Sequence, residues 1–524
     1  MQIFAPLHSE AIPQLQQVEV ATLFQLPSFQ MIGLPAPEVA EAKERIRSAI
    51  EASQLSFPRK KVIVNLSPAS IRKRGTGLDL AMALAVLSLQ SSVEVKLVAW
   101  GELGLDGSVK PVGQLNRTLY VTWKNQIPFL IVSRAEYLSA VQCLREIGEC
   151  QEFSSEPPLL IPVETLKEAW DILIHQKYKH LTQFEAKYSE KEMSPVFFPD
   201  PRSRLPLPVS LERVIGISAA GGHHILLLGP KGVGKSLAFE WLIGLLPSLT
   251  PEDRLQQRLM AELSSNSPSV KIHEKSAPFP VRRVSSQVRP SALVGGTSSH
   301  SIRPGEFSLA HGGVLIADEL PEWHRDSREV FREPLERGRV SLTRTQGTFD
   351  LPANFLLAAN GNLCPCGGWP PEWAPPQDSI ALSKCRCRET IRRNYLARLS
   401  GPILDRIDLV SFVTYSSLPQ GGGSTGDQKW NQLQTQVQEA REFLKQTWGE
   451  VPGKLNGIQL EGILDSSPLL RKSVESLEFS SFRSRHKTLR TALTLSAWDH
   501  LAIPHVSHLR EAYCYRADRL SPTS

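Results

Sequence analysis

A multidomain α/β protein is the fold class this chain predicts, on three observations. Its 524 residues exceed what one core usually holds; at about 150 residues per domain, about three units are expected. Short β-rich runs alternate with helical stretches over most of the length, the pattern of parallel sheets with crossover helices. Three apolar runs, Ile225 to Leu228, Val314 to Ala317 and Phe355 to Ala359, lead directly into glycines, carboxylates or an amide, and strand ends are where such sheets keep their functional groups.

Residues 1 to 170 read as one α/β domain. The run Lys61-Val62-Ile63-Val64-Asn65-Leu66 is strand-like, and Pro37 to Ala52 has Pro37 at its start with Val39, Ala42, Ile46, Ala49 and Ile50 at helical spacing. Residues 171 to 205 turn polar and basic and then proline-rich, at Pro195, Pro199, Pro201, Pro206 and Pro208, which predicts a linker. Residues 206 to 418 hold the three apolar runs and form the second domain. Gly421-Gly422-Gly423-Ser424 marks a joint. Residues 425 to 524 interleave apolar and basic residues, as in Trp430 to Leu444 and Phe482 to Trp498, and predict a helical C-terminal domain.

The bulk numbers exclude several classes. A hydrophobic fraction of 41% with 21% charged residues, and no apolar run near the ~18 residues of a membrane span, predicts a soluble protein that does not engage a membrane. The segment Met1 to Pro6 lacks the features of a secretory signal, so a cytoplasmic location is expected. A net charge of +6 is too mild to argue for nucleic acid by itself. The seven cysteines are odd in number, with Cys364, Cys366, Cys385 and Cys387 grouped, unlike a secreted disulfide framework.

The sharpest motif is Gly229-Pro230-Lys231-Gly232-Val233-Gly234-Lys235-Ser236, which fits G-x-x-x-x-G-K-[ST] between an apolar strand and an apparent helix, Leu237 to Leu246. Glycines let backbone N–H groups wrap phosphates, Lys235 neutralises the β and γ phosphates, and the Ser236 hydroxyl ligates Mg²⁺. ATP is therefore the expected cofactor, with Mg²⁺. At the end of the second run, Asp318 is expected in the Mg²⁺ shell, and Glu319 is expected to orient and polarise the attacking water. Asn360 ends the third run, either as an amide reaching the γ-phosphate or the lytic water or as a plain turn residue.

Together these residues resemble an AAA+ ATPase, and the segments around them resemble the ComM/YifB (magnesium-chelatase-like) family over nearly the whole chain. The resemblance rests on Arg303 to Val314 leading into Asp318-Glu319-Leu320-Pro321-Glu322-Trp323, on Cys364-Pro365-Cys366-Gly367, and on Ser400 to Asp408. It implies an AAA+ domain at 206–418 with a C-terminal helical lid at 425–524. By the same resemblance Arg406 is the arginine finger that reaches a neighbouring subunit's ATP, which implies a ring, usually a hexamer. Arg483 matches the sensor-2 arginine of the lid. The segment Arg337 to Pro352 looks like a hairpin that projects into the ring pore in related motors, with Arg339 and Arg344 as candidate phosphate contacts.

The four grouped cysteines supply the thiolates of a closed Zn²⁺ site, although C-x-C is tighter than the usual C-x₂-C spacing. Four reduced cysteines in an irregular loop are the alternative. The family has a cysteine cluster here too, and Lys384, Arg386, Arg388, Arg392 and Arg393 surround the second pair, which suggests a basic loop that touches DNA. The N-terminal domain resembles the Lon peptidase fold (ribosomal S5 domain 2-like) through Lys73 to Asp79 and Gly101 to Gly113. Gly77 and Thr118 stand where its serine nucleophile and lysine would fall, so no peptidase activity is expected.

What the resemblance implies is an ATP-driven hexameric DNA motor, a branch-migration helicase acting in homologous recombination or natural transformation, with single-stranded or branched DNA as its partner. Two alternatives stand beside it. One is the ATPase subunit of a metal chelatase; the other is an ATP-gated assembly or adaptor protein without DNA translocation.

Overall fold

The computed structural model describes residues 1–8, 12–67, 73, 75–180, 207–264, 279–297, 302–344, 347–369, 385–399, 401–414, 424–479 and 481–516. Most of the expected linker (181–205) and the glycine joint (421–423) lie outside the described residues.

The first unit contains the strands β1 (Gln2–Leu7), β2 (Gln14–Leu23), β3 (Phe29–Ile32), β4 (Lys61–Leu66), β5 (Lys96–Trp100), β6 (Glu102–Leu103), β7 (Val109–Lys110), β8 (Phe129–Ser133) and β9 (Leu159–Val163). Seven of them form a mixed sheet in the order β3-β4-β2-β1-β5-β8-β9, while β6 and β7 make a short hairpin. Its helices are α1 (Pro37–Ala52), α2 (Asp79–Ser88), α3 (Leu115–Lys124), α4 (Tyr137–Gly148) and α5 (Leu166–Ile174). Proline at the first turn starts α1, where its missing N–H costs nothing. The helix then buries Val39, Ala42, Ile46, Ala49 and Ile50 completely. By contrast α2 is buried on all sides, and its single acid, Asp79, is paired by Arg45 through two hydrogen bonds of 2.7 and 3.1 Å. A buried carboxylate is tolerable only when paired in this way.

The second unit contains α6 (Val209–Gly221), β10 (Ile225–Leu228), α7 (Lys235–Leu245), α8 (Pro251–Ser264), β11 (Val281–Val284), β12 (Gly295–Thr297), β13 (Ile302–Pro304), β14 (Val314–Ala317), β15 (Arg339–Arg344), β16 (Gly347–Pro352), β17 (Leu356–Gly361) and β18 (Leu409–Phe412). Five strands form an all-parallel sheet in the order β11-β14-β17-β10-β18. Both β10 and β14 are buried at every residue, which explains why they read as unbroken apolar runs rather than alternating ones. The register sets Leu228 beside Gly361 and Ala317 beside Ala359. The segments that follow β10, β14 and β17 therefore emerge together at one end of the sheet.

The C-terminal part is helical: Ser424–Trp448, Gly457–Ser466, Pro468–Glu475, Phe482–Trp498 and Val506–Cys514. It shares one apolar core with the second unit, through Trp241 edge-on to Trp430 at 5.1 Å and through Val437, Leu489 and Leu493. The first unit is bound as firmly. Glu262 on α8 accepts from the backbone N–H groups of Asn116 (3.1 Å) and Arg117 (3.0 Å) and from the Asn116 side chain (2.8 Å) at the start of α3. Arg258 pairs with Glu146 of α4. Among the described residues, no helix is long and apolar enough to cross a membrane.

Candidate nucleotide site

The site is built where β10, β14 and β17 end. Gly229 follows β10, and its N–H donates to the Gly361 carbonyl at 3.2 Å. A Cβ at Gly229 would lie 2.4 Å from the Val413 carbonyl oxygen, so the loop leaves the sheet along a path that only glycine can take. Gly232 and Gly234 have φ of +81° and +88° and face open space, the combination a phosphate-wrapping loop needs. Gly234 precedes the first residue of α7, Lys235. The free N–H groups of that first helical turn favour an anion.

The Lys235 ammonium donates to the carbonyls of Gly229 (2.6 Å) and Pro230 (2.7 Å) and approaches Asn362 Oδ1 at 3.4 Å. Burial lowers its pKa to about 8, with Glu319 opposing the shift and Lys231 adding to it. Ser236 sits one residue further on α7, and its hydroxyl, like the Asp318 carboxylate, is a hard oxygen donor of the kind that could hold Mg²⁺.

Asp318 and Glu319 follow β14, and Asn360 in the neighbouring β17 holds both. Its Nδ2 donates to Asp318 Oδ1 at 2.7 Å, and its Oδ1 accepts the Glu319 N–H at 2.9 Å. Trp323 Nε1 donates to the Asp318 carbonyl at 2.7 Å. Glu319 itself has φ +53°, a left-handed conformation that costs a non-glycine residue energy and recurs at functional sites. The Asn360 amide therefore does more than turn the chain: it fixes the orientation of the acidic pair. Asn362, two residues on and reached by Lys235, was missed by the sequence reading; the Asn-x-Asn spacing at a strand end was the available signal.

Arg406 and Arg483 are not brought to this end. Arg406 precedes β18, whose Leu409 pairs with Ile225, the first residue of β10, so it lies at the opposite end of the sheet from the P-loop. There both guanidinium groups bind one carboxylate, Glu336, whose pKa is lowered chiefly by the Arg406 hydrogen bond. Arg406 also donates from Nε to the Arg332 carbonyl (3.1 Å) and from Nη1 to the Pro402 carbonyl (2.6 Å). The pair borders a cleft of ≈ 940 Å³ that Arg337, Lys454 and Arg490 also line. No local signal pointed to Glu336, because its role depends on two residues 70 and 147 positions away.

Other expected features are also located, while Lys384 and the Arg344 side chain lie outside the described residues. Residues 339–352 form an antiparallel hairpin, with its tip, 345–346, outside the described residues. Arg339 at its base pairs with Asp350 at 3.2 Å rather than standing free. Gly77 and Thr118 are separated by Trp100 and His8: a Cβ on Gly77 would meet the Trp100 ring at 2.5 Å, His8 packs edge-on against that ring at 4.7 Å, and Thr118 Oγ1 bonds His8 Nε2 at 3.2 Å. The four cysteine sulfurs of Cys364, Cys366, Cys385 and Cys387 lie within 4.8 Å of one another.

Comparison with known proteins identifies relatives along nearly the whole chain. The family described as magnesium chelatase, subunit ChlI, matches residues 209–420, and a second ChlI model matches residues 18–136. The YifB protein of Escherichia coli strain K12 is 32% identical, with 96% of this chain and 94% of that protein aligned. Competence protein ComM of Haemophilus influenzae is 30% identical over the same shares, and a Mycobacterium tuberculosis relative is 30% identical over 96% of each chain. With its P-loop, acidic pair and asparagine on one parallel sheet end, this chain belongs to the ComM/YifB family of magnesium-chelatase-like AAA+-type ATPases.

Proposed function

We propose that the protein is an ATP-hydrolysing motor that assembles into a ring, usually a hexamer in this kind of ATPase, and moves DNA strands by branch migration in recombination or natural transformation. The observation that supports this most is the division of the site. The P-loop, Asp318, Glu319 and Asn360 occupy one end of the sheet, while Arg406 and Arg483 sit together at the other. A ring built head to tail brings the arginine end of one subunit to the phosphates of the next. Lys235 and the loop N–H groups then hold ATP, Ser236 and Asp318 hold Mg²⁺, Glu319 polarises the water, and Arg406 stabilises the charge that develops on the transferred phosphoryl group. Arg483 adds a second cation to the same face.

The DNA assignment follows from family membership and from the relative whose name is competence protein ComM. Strand movement on a labelled four-way junction, with ATP, tests it directly. Wild type should separate the arms, whereas Lys235→Ala and Glu319→Gln should not. ATPase activity that is robust, indifferent to DNA and unaccompanied by strand movement would remove the motor reading. One finding favours a second reading, an ATPase working in metal chelation or assembly: both matching family models describe a chelatase subunit. We expect no peptidase activity from the first unit, since Gly77 offers no nucleophile and Trp100 fills the space before it.

A further inference from the structure

Beside the nucleotide site lies a second cluster, of four cysteines. The sulfur of Cys364 is 3.3 Å from that of Cys366 and 3.7 Å from that of Cys385, and Cys366 and Cys385 are 3.6 Å apart. Four thiolates at the ~2.3 Å Zn–S distance of a tetrahedral site stand about 3.8 Å from one another. All four sulfurs fall within 4.8 Å, a cage for one ion and too small for a multi-iron cluster. Soft thiolates alone, with no open position for water, select Zn²⁺ in a closed, structural role.

What this cage touches gives it a purpose. Cys364 follows β17 by three residues and is fully buried, and the turn Cys364 to Gly367 lies directly on the P-loop. The Gly367 carbonyl accepts the Lys231 N–H at 2.9 Å, and the Gly361 carbonyl accepts the Gly229 N–H at 3.2 Å. The P-loop is thus fastened at two points to the segment that brackets the first cysteine pair. Gly367 has φ +74°, which a residue with a side chain rarely adopts, and a Cβ there would lie 2.6 Å from the Lys231 side chain and displace it. Between the fasteners, Asn362 reaches Lys235.

The second cysteine pair ties in the opposite wall. Cys385-x-Cys387 leads into the helix Glu389–Leu396. From it Tyr395 donates to Glu322 Oε1 at 3.3 Å, just beyond Asp318 and Glu319, and the Arg392 guanidinium lies 3.4 Å over the Trp369 ring. One ion bridging the two pairs would therefore lock the P-loop side of the site to the acidic side.

We propose that Cys364, Cys366, Cys385 and Cys387 hold one structural Zn²⁺ that clamps the P-loop through the Gly367 carbonyl and so sets the affinity for ATP. This rests on the ATP-binding reading above, but it is tested with readouts that do not need DNA. Full-length protein made in zinc-supplemented medium and purified without chelator should hold one zinc per chain by elemental analysis. Stripping the metal with a thiol-reactive mercurial followed by reductant and chelator should weaken Mg²⁺–ATP binding at least about tenfold, and re-adding Zn²⁺ should restore it. It should also speed amide hydrogen exchange in residues 229–234.

Cys385→Ser should reproduce the stripped state, and Cys514→Ser should not. Gly367→Ala separates the clamp from general folding: it should keep its zinc yet lose ATP affinity and exchange protection at the P-loop. Protein with no stoichiometric zinc overturns the proposal. So does zinc whose removal leaves P-loop exchange unchanged and ATP affinity within about twofold. If Cys385→Ser does not fold, the reversible stripping and Gly367→Ala still decide. Were the wild type to bind no ATP, the functional reading would fall, while zinc content and exchange at 229–234 would still judge the clamp.

Discussion

The two ends of the five-stranded sheet differ in what their charges already have. At the P-loop end, Lys235 is buried on backbone carbonyls and shifted toward its neutral form, and Asp318 and Glu319 are held by one amide. Their counter-charges stand near rather than in close contact: Arg283 lies 3.8 Å from Asp318, and Glu319 favours the Lys235 ammonium. At the arginine end, two guanidinium groups share one carboxylate and border an open cleft. That end holds cations in reserve. The contrast teaches that one subunit keeps Lys235 and its acidic pair at one end of the sheet and the Arg406–Arg483 pair at the other, the arrangement on which the proposed shared site depends.

The strongest test of this contrast is to break each half in a different subunit. Arg406→Ala should lower kcat for ATP hydrolysis by about 10³, the order seen when an arginine finger is lost, with ATP binding retained. Lys235→Ala should lose binding. Mixing the two inactive variants should recover measurable ATPase, because some interfaces then pair an intact P-loop with an intact arginine. No recovery at any ratio would show that the halves do not meet between subunits.

Glu319→Gln should reduce kcat by about 10² or more while leaving ATP affinity nearly unchanged, as expected when a positioned base is lost but binding groups remain. Substrate trapping followed by single-turnover kinetics checks it. A parallel fall in ATP affinity would mean that the residue serves the loop geometry instead.

The pH dependence of ATP binding probes the Lys235 shift. Bound phosphates favour the ammonium form, so the bound pKa lies above the free value of about 8. Below pH 8 both states are protonated and affinity is full. Above it the free protein loses the proton first, and affinity should fall by up to about tenfold per pH unit until the bound form titrates as well. Calorimetry in buffers of different ionisation enthalpy should register proton uptake near pH 8.5; none would indicate an ordinary exposed lysine.

The smallest effect is expected at the reserve. Glu336→Gln removes the shared carboxylate but leaves both arginines, and it should change ATPase less than about threefold, since the carboxylate is open to solvent. A loss as large as that of Arg406→Ala would mean that Glu336 is needed to shape the face rather than to hold its cations.

How legible this was in the amino-acid order depends on the range of each contact. The strands Ile225–Leu228 and Val314–Ala317 coincide with the apolar runs that predicted them, and helix Pro37–Ala52 has the expected limits. Each is defined by neighbours within a few residues. The helix after the P-loop starts at Lys235 rather than Leu237, because Gly234 in its left-handed conformation ends the loop there. Asn360 was visible as a polar strand end, but its bridge between Asp318 and Glu319 needs the β14–β17 register, which no local pattern contains.

By itself the order of residues determined the phosphate loop, the acidic pair and the family, because these depend on a few consecutive side chains and on glycines that permit positive φ. Only the tertiary structure decided that Arg406 and Arg483 face away from their own P-loop, that Glu336 holds both, and that the cysteine turn lies against Lys231. Those relations join residues tens to more than a hundred positions apart, and they exist only once the parallel sheet has set which ends of its strands lie together.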